Sequence, residues 1–149
     1  MAILRASDVQ QLTDHFQKNL VSEVTVDFFT QKSLLYIPGR ECPTCAETGQ
    51  LLEEVTGLSE KLRLQVTDFY NQTERAVEMG IDRIPAFVLQ GSSRGKVRYF
   101  GIPAGNEFPA LVADLVDVSR GETALSEETR KALGTLSQEV HLQVFVTPT

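Results

Sequence analysis

Apolar residues recur along this chain in two rhythms, one helical and one extended. Val9, Leu12, Phe16 and Leu20 share a helical face and predict a first helix from about Ser7 to Leu20, with Ser7 and Gln10 spaced as a capping box. His15 falls beside that stripe and reads as a surface or helix-flank residue. From Val24 to Gln31 the period shortens to two: Val24, Val26 and Phe28 on one face of a strand, Thr25, Asp27 and Phe29 on the other. Ser33 to Gly39 reads as a second short strand or as a loop. A helix is expected from Cys42 to about Val55, with Leu51, Leu52 and Val55 inward and Gly57 as its stop. Leu62, Leu64 and Val66 alternate with Arg63, Gln65 and Thr67, the pattern of a half-exposed strand at a sheet edge.

Further along, Asn71 to Met79 predicts a short helix, with Asn71 and Glu74 placed as a capping box and Gly80 as its end. Pro85 to Gln90 and Lys96 to Gly101 form an expected antiparallel hairpin around Gly91-Ser92-Ser93-Arg94-Gly95. Asn106 to Val118 carries the clearest stripe: Phe108, Leu111, Val112, Leu115 and Val116. Leu125 to Leu136 predicts one more helix and Val140 to Val146 one more strand. The order strand, helix, strand, helix, hairpin, helix is an α/β fold with a mixed sheet, in which the first crossover makes the first two strands parallel.

Composition narrows the function. The 149 residues suit one ordinary domain with length to spare, and 42% hydrophobic with 23% charged residues is usual for a globular protein. A net charge of −6 argues against a nucleic-acid partner. No stretch approaches about 18 consecutive apolar residues, so no membrane span is expected. The first residues, Met1 to Asp8, hold too short an apolar run for a signal peptide, which makes the cytoplasm the expected compartment.

The chemistry lies in the only two thiols, Cys42-Pro43-Thr44-Cys45. If the pair opens a helix, Cys42 stands at the N-cap, with Pro43 at the first helical position. Residues three apart share a helical face, so the two sulfurs come within bonding reach. Free backbone N–H groups and the positive end of the helix dipole then favour a thiolate at Cys42. Cys42 is the expected nucleophile and Cys45 the resolving thiol. Two other readings compete. A structural disulfide across so short a loop would stabilise by only about 2 kcal/mol. Zinc wants four ligands, and His15 and His141 are far from the pair in sequence, so no metal site is expected. Arg40 would favour the Cys42 thiolate and Glu41 oppose it, both weakly because exposed charges are screened.

With these motifs in order, the sequence resembles the thioredoxin superfamily, and in particular the N-terminal unit of the glutaredoxin-like protein disulfide oxidoreductases of thermophilic prokaryotes. The matching stretches are Glu41-Cys42-Pro43-Thr44-Cys45, Asp82-Arg83-Ile84-Pro85-Ala86, Val97 to Gly105, Asp117 to Thr123, and the tail Val140 to Thr149. The resemblance implies a thioredoxin fold over residues 1–122 and a helix–strand extension over 123–149 that is similar to the start of a second thioredoxin unit. Such proteins carry two units in tandem, so the chain is expected to be a shortened descendant or a portion of one. Two departures stand out. Lys32 to Arg40 is longer than the usual passage to the cysteines, and Thr44 replaces the tyrosine common in glutaredoxins.

The resemblance further implies a cis peptide bond at Ile84-Pro85, which turns the backbone of Ile84 toward a substrate; an ordinary strand-initiating proline is the other reading. Val26-Asp27-Phe28-Phe29 is similar to the thioredoxin strand that carries a buried acid. Asp27 is thus a candidate proton acceptor for Cys45, or else an acid on a solvated face or near the strand end. The implied activity is thiol–disulfide exchange, reducing or isomerising protein disulfides. Disulfide-containing proteins would be the substrates and a reductase or low-molecular-weight thiol the electron donor; no cofactor is implied. The alternative is a non-catalytic thioredoxin-fold module for binding or assembly. The apolar tail, including Val140, Leu142, Val144 and Val146, should pair with the Leu62 to Thr67 edge or join a homodimer.

Overall fold

The computed structural model describes residues 2–32 and 38–146. Four strands form one sheet: β1 (Val24–Thr30), β2 (Leu62–Asp68), β3 (Ala86–Gln90) and β4 (Val97–Phe100), in the order β2-β1-β3-β4. Strand β1 runs parallel to β2 and antiparallel to β3, and β3 pairs antiparallel with β4. Helices α1 (Ala6–Asn19), α2 (Cys45–Thr56), α3 (Thr73–Met79) and α4 (Phe108–Arg120) surround the sheet, and α5 (Glu127–Gly134) follows. This is the thioredoxin fold with an added C-terminal helix. Ser33 to Ile37, most of the segment read as strand or loop, lies outside the described residues.

The period-two pattern of β1 divides the packing as the sequence requires. Val24, Val26 and Phe28 meet Phe16 of α1, Leu51, Leu52 and Val55 of α2, and Leu111, Leu115 and Val118 of α4 in the main core. Each such side chain contributes roughly 1.5–3 kcal/mol on burial. On the other face Phe29, Ala86 and Val88 pack with Ala76, Met79 and Ile81 beneath α3. Gly49 lets α2 approach β1 closely, since a Cβ there would stand 3.1 Å from the Phe28 ring.

Both expected capping boxes are absent. Helix α1 starts at Ala6 behind Arg5, and Ser7 Oγ donates instead to Asp8 Oδ1 at 3.2 Å. The approach to α1 is fixed from outside the helix, by Glu54 of α2 accepting from the N–H groups of Ile3 and Leu4 at 2.9 and 2.8 Å. Those bonds, Leu4 first, hold the Glu54 carboxyl below its usual range. Helix α3 starts at Thr73 with no side-chain cap. The turn before it is closed by Asp68 Oδ1, which accepts from the N–H groups of Tyr70 and Asn71 at 3.1 Å each.

The core ends with α4. Gly121 caps that helix at φ +68°, where a Cβ would stand 2.8 Å from the Ser92 carbonyl oxygen. Beyond it, α5 is present but exposed, and residues 140–146 form no strand, with Leu142 85% and Phe145 89% exposed. The expected pairing with the Leu62 to Thr67 edge does not occur within the chain. The β2 edge explains why. Lys61 O binds Val24 N–H and Thr30 O binds Phe69 N–H, so odd-numbered residues of β2 face β1 and even-numbered ones face outward. Of those outward groups, Leu62 N–H is taken by Ser59 O, Val66 O by Lys32 Nζ at 3.0 Å, and Asp68 O by Gln72 N–H. Among the described residues, only around Leu64 do both outward backbone groups lack a partner, too short a window for a seven-residue strand. Among the described residues, no helix is long and apolar enough to cross a membrane.

Candidate active site

Topology brings the candidate residues to one end of the sheet. Helix α2 connects parallel strands β1 and β2, so it runs antiparallel to both and starts where they finish. Strand β3 begins at that end and β4 finishes there, as the pairings Phe29 with Ala86 and Ala86 with Phe100 require. Cys42 and Cys45 are joined there in a disulfide, with Cα atoms 5.4 Å apart. The two sulfurs are unequally placed: Cys45 is buried at 6% exposure, whereas Cys42 is half-buried beside an exposed Pro43.

The helix begins later than the sequence suggested. Thr44 is the N-cap residue and Cys45 the first helical one, so Cys42 is not the N-cap and Pro43 not the first helical residue. Cys42-Pro43-Thr44-Cys45 is a turn closed by Cys45 N–H donating to Cys42 O at 3.3 Å. Thr48 then holds the Thr44 carbonyl twice, through its N–H at 2.9 Å and its hydroxyl at 2.7 Å. The Ala46 and Glu47 N–H groups have no partner among the described residues, so the first turn still presents open donors.

The Ile84–Pro85 bond is cis. Pro85 immediately precedes β3 at the dithiol end, and its carbonyl accepts from Gly101 N–H at 2.8 Å. Among the described residues the backbone N–H and C=O of Ile84 make no hydrogen bond, while its side chain packs on the smaller core.

At Asp27 the buried acid that the resemblance implies is present. It is fully buried, so it lies on no solvated face, and it sits on the α3 face of the sheet. Val26 and Phe28, its neighbours, point to the α2 side. Its Oδ2 pairs with Arg75 Nη2 at 2.5 Å and its Oδ1 accepts from Thr67 Oγ1 at 3.0 Å. The sheet therefore separates this carboxylate from the helix carrying Cys45, and its oxygens serve α3 and β2. His15 is exposed on α1, within 3.4 Å of Asn19 Nδ2, and His141 is exposed in the tail.

Two features were missed by the sequence reading. The Arg40 guanidinium lies over the Tyr70 ring, 4.6 Å from its centroid, and that of Arg83 lies over Phe100 at 5.1 Å. Neither ring is near its arginine in sequence. Position was the one available signal, since Arg40 is two residues before Cys42 and Arg83 two before Pro85.

No family model and no curated protein matches this chain. Solved structures do. A protein disulfide oxidoreductase from Aeropyrum pernix k1 is 27% identical with a TM-score of 0.75, over 91% of this chain and 56% of that one. The alkylhydroperoxide reductase AhpF of Enterococcus faecalis (V583), as a C503A mutant, is 24% identical with a TM-score of 0.73, over 89% of this chain and 61% of that one. The NTD_N/C domain of the same reductase matches at 23% identity and a TM-score of 0.70. Fold and dithiol together define a protein of the thioredoxin superfamily. It is similar in structure to a protein disulfide oxidoreductase and to an alkylhydroperoxide reductase subunit, and spans little more than half the length of each.

Proposed function

We propose that the chain is a thiol–disulfide oxidoreductase that reduces or isomerises protein disulfides through Cys42-Pro43-Thr44-Cys45. The observation that carries this reading is the asymmetric disulfide, its Cys42 side reachable and its Cys45 side buried, at the start of α2. In the reduced protein the Cys42 thiolate attacks a substrate disulfide, forming a mixed disulfide and releasing one substrate thiolate. Cys45, losing its proton to solvent, then attacks the Cys42 sulfur. The second substrate thiolate leaves and takes up a proton, and the Cys42–Cys45 bond re-forms. Two electrons have passed to the substrate, and an external dithiol or a reductase returns them. The backbone of Ile84 beside Pro85, without a partner among the described residues, supplies the docking edge for the substrate segment. Asp27 has no part in this cycle.

Insulin reduction with dithiothreitol as donor tests the proposal. Turnover is expected from the wild type, none from Cys42→Ser, and a trapped mixed disulfide from Cys45→Ser. An intact fold with no turnover would favour the non-catalytic binding module. The reduction potential of the pair gives the direction, about −270 mV for a reductant and about −120 mV for an oxidant. A further part of the proposal is a homodimer through the C-terminal extension, supported by the exposed Leu133, Leu136, Leu142 and Val144. Sedimentation of the full chain against a version ending at Glu122 tests it, since a monomer in both would remove the dimer.

A further inference from the structure

The end of the sheet that carries the dithiol reads across in a fixed order. Tyr70 follows β2, the segment leading to Cys42 follows β1, Ile84 and Pro85 precede β3, and Phe100 ends β4. Arg40 stacks on the first of these and Arg83 on the last. Both stacked guanidinium groups therefore stand at the end of the sheet that carries the dithiol and Ile84, one beyond β2 and one at the end of β4. Each aromatic ring fixes a plane that would otherwise swing freely, and an ordered guanidinium offers its N–H fork to a carboxylate with little further loss of freedom.

From this arrangement we propose that Arg40 and Arg83 select acidic substrates, each taking a carboxylate of a disulfide-bearing peptide segment laid across Cys42. The inference rests on the oxidoreductase reading above. Neighbouring strands stand about 4.8 Å apart, so β2 and β4 are separated by roughly 14 Å, the reach of about four extended residues. The preferred carboxylates therefore fall about two residues to either side of the substrate cysteine.

The other charges at this end leave the two arginines available. Asp82 pairs with Arg83 at 2.9 Å, but both side chains are about 70% exposed, and such pairs are weak enough for an incoming carboxylate to share or displace. Glu41 turns one oxygen back to Gly39 N–H at 3.2 Å. Asp68 is buried and spends Oδ1 on the Tyr70 and Asn71 N–H groups. Lys32 is bound to the Val66 carbonyl.

Three disulfide-linked peptides test the proposal, identical except for Glu, Gln or Lys two residues before and after the cysteine. At low ionic strength the wild type should reduce the Glu peptide about 10-fold faster than the Lys peptide, as two exposed charge contacts allow. The ratio should shrink toward unity as salt rises to about 0.5 M. In Arg40→Gln/Arg83→Gln it should fall to within about two-fold of unity. Arg40→Lys/Arg83→Lys should keep its direction, which separates charge selection from a general disturbance of the surface. Equal wild-type rates on all three peptides would overturn the acidic preference and leave the oxidoreductase reading standing. No exchange with any of them, by a folded and reduced protein, would overturn both.

Discussion

Helices α4 and α5 are close in sequence and opposite in what holds them. Helix α5 has the better local signals: a Ser126 side chain that accepts from Thr129 N–H at 3.2 Å, acidic residues in its first turn, and a Glu127–Lys131 pair at 2.9 Å. Helix α4 has no side-chain N-cap bond. Yet α4 buries Leu111 and Leu115 to 1% exposure, while Leu133 of α5 remains 48% exposed. A capped helix of eight residues is marginal alone, and an uncapped one is secure when its apolar face is covered. Tertiary burial, more than local propensity, decides which of the two belongs to the core.

The comparison breaks or sharpens under substitution. Leu115→Ala should cost about 3–4 kcal/mol in chemical denaturation, whereas Leu133→Ala should change global stability by less than about 0.5 kcal/mol. A large effect at Leu133 would mean that α5 packs on something in solution. Ser119→Ala should come next, at about 2–3 kcal/mol. The buried Ser119 hydroxyl accepts from the N–H groups of Val21 and Ser22 at 2.8 and 2.9 Å and donates to Ser22 O at 2.7 Å, so its loss strands two donors. In α5, Ser126→Ala should leave the global transition unmoved and speed only the local amide exchange.

A more modest effect than those in α4 concerns the bond from β4 to α4. Tyr99 Oη donates to Asp114 Oδ2 at 2.5 Å, and burial first, then that carboxylate, raises the phenol above its ordinary range. The folded chain therefore keeps a proton on Tyr99 at pH values where the unfolded chain has released it. Its contribution is fully present below about pH 10 and is lost as pH rises beyond. Tyr99→Phe should cost about 1 kcal/mol at neutral pH and flatten that part of the alkaline stability profile. An unchanged profile would show that the bond does not persist in water.

Much of this was legible beforehand because burial imposes a period. Val24, Val26 and Phe28 against Thr25, Asp27 and Phe29 gave β1 and its two faces, and the Leu62 to Val66 alternation gave an edge strand. The ion pair of Asp27 left no trace because its partner, Arg75, is 48 residues away and cannot be paired with it by any local pattern. The start of α2 was misplaced because Pro43 suits a turn as well as a first helical position. Val140 to Val146 alternates like β2, but alternation describes a strand only where another strand supplies hydrogen bonds. For Pro85 the family resemblance supplied what spacing could not. The two arginine stacks join residues 30 and 17 positions apart and left no periodic trace.

The ammonium of Lys32 on the Val66 carbonyl has a consequence for how the protein behaves in crowded solution. An open sheet edge is a template on which copies of a chain can nucleate fibres, and every exposed carbonyl is a rung for the next copy. Here one rung is occupied by an ammonium that an arriving backbone would have to displace. The exposed Arg63 and Gln65 beside it add side chains that resist dry stacking. A single lysine just beyond β1 thus places a charge on the edge of a neighbouring strand, one of the features by which sheet edges resist pairing with further copies.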